Sequence, residues 1–274
     1  MSAEIERVLV PLDAASENAA VLDTAARLAA RARAPVHGIF VEDEDLLRLA
    51  ALPFARQATI GAGGQPLAIE EIEHHLRAAA ERARRDLEEM ARRHHVKWSF
   101  EIVRSEAEQV LASTNERDLI VAGTLTRPVG AYFRVESRWF RSAAAAPGSV
   151  LLTRHGWAET GLVVVLLRDR SAGALRLLDA AVRLAEVHAG ALSVICPPAV
   201  ASASDFEVWL GQRLAGHALR LQIEVAPAEP EALQRRIVEL DCRLLAIEAA
   251  NVENGGTVLR DFAERFACDL LVVR

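Results

Sequence analysis

Apolar residues in this chain fall into two alternating rhythms. Short stretches rich in Val, Leu and Ile at 7–12, 36–41, 118–122 and 149–153 read as strands, and so does the more mixed stretch 96–103. Between them the apolar positions recur every three or four residues. The first such stretch puts Val21, Leu22, Ala25, Leu28, Ala29 and Ala32 on one helical face, with Ser16 as its expected N-cap. Asp13 stops the first strand and Pro35 precedes the second, so the order is strand, helix, strand. That order implies a parallel pair with a right-handed crossover. Further helices are expected at 68–94, 107–113 and 136–144. The segment 42–66 is less regular, and a short helix followed by a mobile loop through Gly61–Gly64 is expected there.

The rhythm then starts again. With a shift of 156 and no gap, Val8 aligns with Val164, Asp13 with Asp169, Leu22-Asp23 with Leu178-Asp179, and Arg27-Leu28-Ala29 with Arg183-Leu184-Ala185. Ala25 and Ile39 meet Ala181 and Ile195. Each half closes on an apolar strand ending in Arg, at Arg154 and Arg274. A fixed-period repeat of this kind means two copies of one unit. Residues 1–154 form the first domain, 155–161 (HGWAETG) the linker, and 162–274 a shorter second domain. Its strands are expected at 162–167, 191–195, 220–225, 242–247 and 269–273, and its helices at 172–187, 206–218, 229–240 and 256–267. Buried strands alternating with helices make an α/β fold of two tandem Rossmann-like domains, each a parallel sheet covered on both faces. Ligands in such sheets sit at the carboxyl ends of the strands, beside the point where strand order reverses.

Composition narrows the function classes. The net charge is −6, with 51% apolar and 26% charged residues among 274. That balance suits a soluble cytoplasmic protein and argues against a nucleic-acid surface. No apolar run approaches the roughly 20 residues of a membrane span, and the start, MSAEIERVLV, lacks a signal-peptide pattern. Cys196, Cys242 and Cys268 are odd in number and widely spaced, so they read as reduced small hydrophobes. The doublets His74-His75 and His94-His95 point neighbouring rings apart and make poor chelators; His94 and His95 suit a helix C-terminus. Ser105, Ser113 and Ser142 lack a nucleophile elbow, and no nucleophile, base and orienting group can be assembled. The mixed-charge helix around Arg82, Arg84 and Arg85 reads as a solvated face. The apolar stretch at 46–55 is either a core helix or an exposed docking segment.

The strands RVLVPLD, GIFVED, RDLIVAGT and SVLLTR, with the helix ending LAARARA, resemble the universal stress protein family. The resemblance covers 1–154 well and 161–274 more weakly, through CRLLAIE and CDLLVVR. It implies a five-stranded parallel sheet with helices on both faces in each domain. It also implies pairing through the last strands, here 149–153 against 269–273 as an internal pseudo-dimer, leaving a monomer or a homodimer through helices. Many family members bind ATP with a loop that carries three glycines and a Ser or Thr, whose backbone N–H groups close on phosphates. Of those positions this chain keeps Gly123, puts Thr126 and Glu136 at the other two glycines, and keeps Ser137. A carboxylate in a phosphate cradle repels its ligand. Asp13 and Val41 match the adenine side; Gly123, Thr124, Arg127 and Ser137 match the phosphate side. Asp13 reads either as a ligand contact or as a strand-ending turn cap. In the second copy Arg168 precedes Asp169, Glu248 stands where Gly123 stood, and NVENGG replaces the loop.

The expectation is therefore a non-catalytic protein of universal-stress type in the cytoplasmic stress response, acting through a protein partner or a small ligand. An ATP or adenine-nucleotide sensor using the first domain is the alternative. A nucleotide hydrolase or transferase is the third reading.

Overall fold

The computed structural model describes residues 5–14, 18–42, 48, 56–59, 62–66, 69–123, 146–153, 161–187, 190–226, 230–250 and 268–274. In the first half these are β1 (Arg7–Leu12), α1 (Asn18–Ala32), β2 (Val36–Glu42), β3 (Arg56–Thr59), β4 (Ala62–Pro66), α2 (Ile69–Arg93), β5 (Trp98–Arg104), α3 (Ala107–Ala112), β6 (Asp118–Gly123) and β7 (Ser149–Thr153). In the second they are β8 (Leu162–Leu166), α4 (Ala172–Val187), β9 (Ala191–Cys196), α5 (Pro198–Ala201), α6 (Phe206–Leu214), β10 (Arg220–Val225), α7 (Pro230–Glu239), β11 (Cys242–Glu248) and β12 (Asp269–Val273).

Ten strands form one sheet in the order β10-β9-β8-β11-β12-β7-β6-β1-β2-β5. Each half contributes five strands to it in the same local order, and within this sheet every pairing inside a half is parallel. The halves meet where β7 runs antiparallel to β12, with Leu152, Leu151 and Val150 opposite Leu270, Leu271 and Val272. Thr153 Oγ1 donates to Asp269 Oδ2 across this seam at 3.3 Å, with both residues buried.

Position in the sheet explains the strand compositions. β6 and β12 lie centrally and are buried along their whole length, so they read as unbroken apolar runs. β5 and β10 are the two outer strands, and their residues are mostly half-exposed or exposed. Two core clusters lie on the two faces of the sheet: Val8, Val10 and Leu12 of β1 belong to one, Leu9 to the other. Gly38 lets α2 approach β2, since a Cβ there would lie 2.7 Å from Leu87 Cδ2 and 3.0 Å from Phe100 Cδ2.

Two expectations are corrected. The Gly-rich segment 62–64 is not a loop; it lies in β4, which pairs antiparallel with β3. Backbone hydrogen bonds supply there what the side chains do not signal. The helix at 206 ends at Leu214 rather than at 218 because Ala215 turns to a ψ of 125°, outside the helical region, and Gly216 follows at a φ of +91°. His94 follows directly on the C-terminal residue of α2, and its Nε2 lies 2.8 Å from Asp23 Oδ1, tying α2 to α1. Ser16 and the expected helices at 136–144 and 256–267 fall outside the described residues, as does all of 46–55 except Arg48.

Asp23 also accepts from Arg27 Nε at 2.8 Å. Burial pushes its pKa up, but the bonds to His94 and Arg27 outweigh burial and hold it below the ordinary carboxylate value. A depressed folded-state pKa contributes stability above the unfolded value, about 3.9, that is lost as pH falls through the folded value. Asp23→Asn is therefore expected to cost about 1 kcal/mol at pH 7, discounted for partial exposure, and progressively less as pH falls below about 4. Urea midpoints of both proteins across that range test it.

Candidate functional site

In each half the strand order reverses between the first and fourth strands, at β1–β6 and at β8–β11. The crevice at the carboxyl ends of these two pairs is where this architecture offers a ligand site.

At the first crevice β1 ends at Leu12, immediately before Asp13, and its neighbour β6 ends at Gly123. Val41 sits near the end of β2, on the other side of β1. The fold thus brings Asp13, Val41 and Gly123 to one edge of the sheet. Two of them also have packing roles. Val41 is 4% exposed and belongs to the core. A Cβ on Gly123 would lie 2.9 Å from Val21 Cγ2, so glycine there also admits α1. Thr124, Arg127 and Ser137, with Thr126 and Glu136, lie outside the described residues.

The second crevice is described in more detail. Asp169 Oδ1 accepts from the Ser171 backbone N–H at 2.8 Å, and Ser171 Oγ accepts from the Ala174 N–H at 3.1 Å. Ser171 therefore caps α4, and Asp169 turns the chain into that cap. Those bonds from Ser171 hold the Asp169 pKa below its ordinary value. Glu248, the last residue of β11, folds its carboxylate onto the first turn of α4. A Cβ on Gly173 would lie only 1.7 Å from Glu248 Oε1. Burial, then the charge of Asp169, raises the Glu248 pKa, while the charges of Arg176 and Arg168 and a bond from Ser171 oppose the rise. The place where a helix N-terminus receives a ligand's anion is thus occupied by the protein's own carboxylate.

The structure also assembles a group that sequence spacing did not reveal. His37 Nδ1 lies 2.7 Å from Ser99 Oγ, and His37 Nε2 lies 3.0 Å from Glu101 Oε1. The three come from β2 and β5 and share one face because Ser99 pairs with His37 in register. Ser99 and Glu101 are exposed on an open outer strand. In the other half, Ser193 and Gln222 pair in register, and Gln222 bonds to Glu224. Ser193 Oγ is buried and makes no hydrogen bond, so the side-chain bridge to the outer strand is not repeated in the second half. All three cysteines carry free thiols. Hydrogen bonding to Cys268, followed by burial, pushes the Cys242 thiol well above its ordinary pKa, which makes it a poor nucleophile. Among the described residues no helix is long and apolar enough to cross a membrane.

No family model and no curated protein matches the chain in sequence. Solved structures do match in shape. A universal stress protein from Archaeoglobus fulgidus aligns over 99% of this chain and 97% of its own, with a TM-score of 0.63 at 14% identity. The fold is that of a universal stress protein. A functionally unknown protein from Pseudomonas aeruginosa aligns over 98% of this chain and 92% of its own, with a TM-score of 0.61 at 16% identity. Both alignments cover nearly the whole of this chain. At these identities the likeness is one of fold.

Proposed function

We propose that this chain is a tandem universal stress protein of the cytoplasmic stress response that acts by binding and not by catalysis. In this reading the second half is a structural platform, and the first half offers a pocket to a protein partner or a small ligand. One observation carries it: Glu248 stands where the first half has Gly123, the first glycine of the phosphate loop that the resemblance implies, and its carboxylate folds onto the first turn of α4. Glu136 in the corresponding loop of the first half points the same way by sequence. Two carboxylates at two phosphate positions make tight ATP binding unfavourable in both halves.

A nucleotide sensor is the second reading, favoured by the placement of Asp13 and Gly123 at the ends of adjoining strands. In that reading Asp13 and Val41 flank the adenine side, and Thr124, Arg127 and Ser137 serve the phosphates. Acid extraction of the purified protein separates the two. Chromatography of the extract is expected to show no stoichiometric adenine nucleotide. Stoichiometric ATP in the extract favours the sensor. Magnesium-dependent ATP turnover that Asp13→Ala abolishes would establish an enzyme instead.

A further inference from the structure

His37 and Ser99 are the second residues of β2 and β5. The group they form with Glu101 therefore sits at the amino ends of its strands, whereas both ligand crevices of the fold sit at carboxyl ends.

The strand register assembles it. His37 pairs with Ser99, and Ile39 pairs with Glu101. Alternate residues of a strand share a face, so one imidazole reaches both side chains of β5. A carboxylate only accepts hydrogen bonds, so the contact with Glu101 puts the imidazole proton on Nε2. Nδ1 then presents a lone pair, and Ser99 Oγ donates to it at 2.7 Å. The order is hydroxyl, base, carboxylate, each within hydrogen-bond reach of the next.

Burial divides the roles. The His37 side chain is only 14% exposed and is held from two sides, while the Ser99 residue is exposed. A fixed base beside an accessible hydroxyl lowers the cost of removing its proton when an electrophile arrives. Pairing of an outer strand does not require such a bridge, since β10 pairs with β9 although Ser193 Oγ has no hydrogen bond. The charge of Glu101 also acts on Arg7 of neighbouring β1. Lys97, the single lysine of the chain, stands two residues before Ser99.

We propose that Ser99 is an acyl-acceptor site for activated acyl donors of the aryl ester or thioester class, with His37 as its base and Glu101 as the positioning residue. Ser99 Oγ bonds the acyl carbon as its proton passes to His37 Nδ1. The bond from that carbon to the leaving oxygen or sulfur breaks, and its electron pair goes to the leaving group. The proton on Nδ1 then passes to solvent or to the leaving group, which restores the neutral imidazole and leaves O-acyl Ser99. General-base assistance contributes about 10²–10⁴-fold, enough to set Ser99 apart from other exposed hydroxyls. The step is a single acylation and needs no turnover, so it stands beside the binding role proposed above and does not depend on it.

The test is treatment of the full chain with 4-nitrophenyl acetate, following 4-nitrophenolate release and mapping the acetyl group by peptide mass. One acetyl group on Ser99 is expected, absent from Ser99→Ala. His37→Gln is expected to slow acetylation of Ser99 about a hundredfold. The wild-type rate is expected to follow one ionisation that His37→Gln removes, a dependence that a purely structural bridge would not produce. The Glu101 side chain is 50% exposed, so Glu101→Gln is expected to keep the wild-type circular dichroism spectrum. Its amide can donate to Nε2 and so favours the tautomer with the proton on Nδ1, and it is expected to slow acetylation about tenfold. Acetyl groups on Lys97 or His37 with none on Ser99 overturn the proposal. So does acetylation of Ser99 at the wild-type rate in either folded variant.

Discussion

Gly148→Ala is expected to lower the stability of the chain by about 3 kcal/mol, seen as a fall in the urea midpoint at constant slope. The argument is one of space. A Cβ at Gly148 would lie 2.4 Å from the Asp118 carbonyl oxygen and 2.7 Å from that of Asn115. Both obstacles are backbone atoms, so no rotamer change relieves the clash. The turn that carries them is itself fixed: the Asp118 N–H donates to Asn115 O at 3.0 Å, and the Asn115 N–H donates to Asp118 Oδ2 at 2.9 Å. Gly148 leads directly into β7, so relief by movement would shift the strand that carries the seam to β12. Gly123→Ala, which meets only the side chain of Val21, is expected to cost less.

Asp118→Ala is expected to be nearly as damaging, at about 3 kcal/mol. The Asp118 side chain is 2% exposed and receives two hydrogen bonds from Arg7 as well as the Asn115 N–H. Removing it strands the Arg7 guanidinium and leaves a turn N–H without its acceptor. Asp118→Asn retains an acceptor for Asn115 and is expected to lose about half as much. The neighbouring pair Arg117–Glu6 is exposed on both sides, and Arg117→Ala is expected to change stability by less than about 0.5 kcal/mol. Because Gly148 and Asp118 support one turn, the double variant is expected to lose less than the sum of the two losses.

The parts of this fold that were legible in the sequence are those where burial dictates composition. β1, β6, β7, β8 and β12 are buried and read as apolar runs close to their observed bounds. The 156-residue shift anticipated the same local strand order in both halves because each repeated residue, such as Leu22 and Leu178, serves the same core face. What failed has physical causes. β3 and β4 hold together through backbone bonds between residues such as Gln57 and Gln65, and glycine gives no side-chain signal for that. Edge strands need not be apolar, so β5 was placed two residues early.

The candidate site was legible only in part. The residue types at Asp13, Gly123 and Glu248 were visible, and so was the substitution of glycine by carboxylate. That Glu248 turns onto Gly173 was not, because its partner lies 75 positions away in another element. The same reason hid His37, Ser99 and Glu101, which meet across 62 to 64 positions. Asp169, the counterpart of Asp13, accepts from the Ser171 N–H and so acts as a turn cap.

The central claim is that carboxylates have closed the phosphate positions of a universal-stress-type fold. Calorimetric titration of magnesium-ATP into nucleotide-stripped protein tests it most directly, on the wild type and on Glu136→Gly. The account predicts no saturable heat with the wild type and one nucleotide per chain with Glu136→Gly. Micromolar binding by the wild type would contradict it.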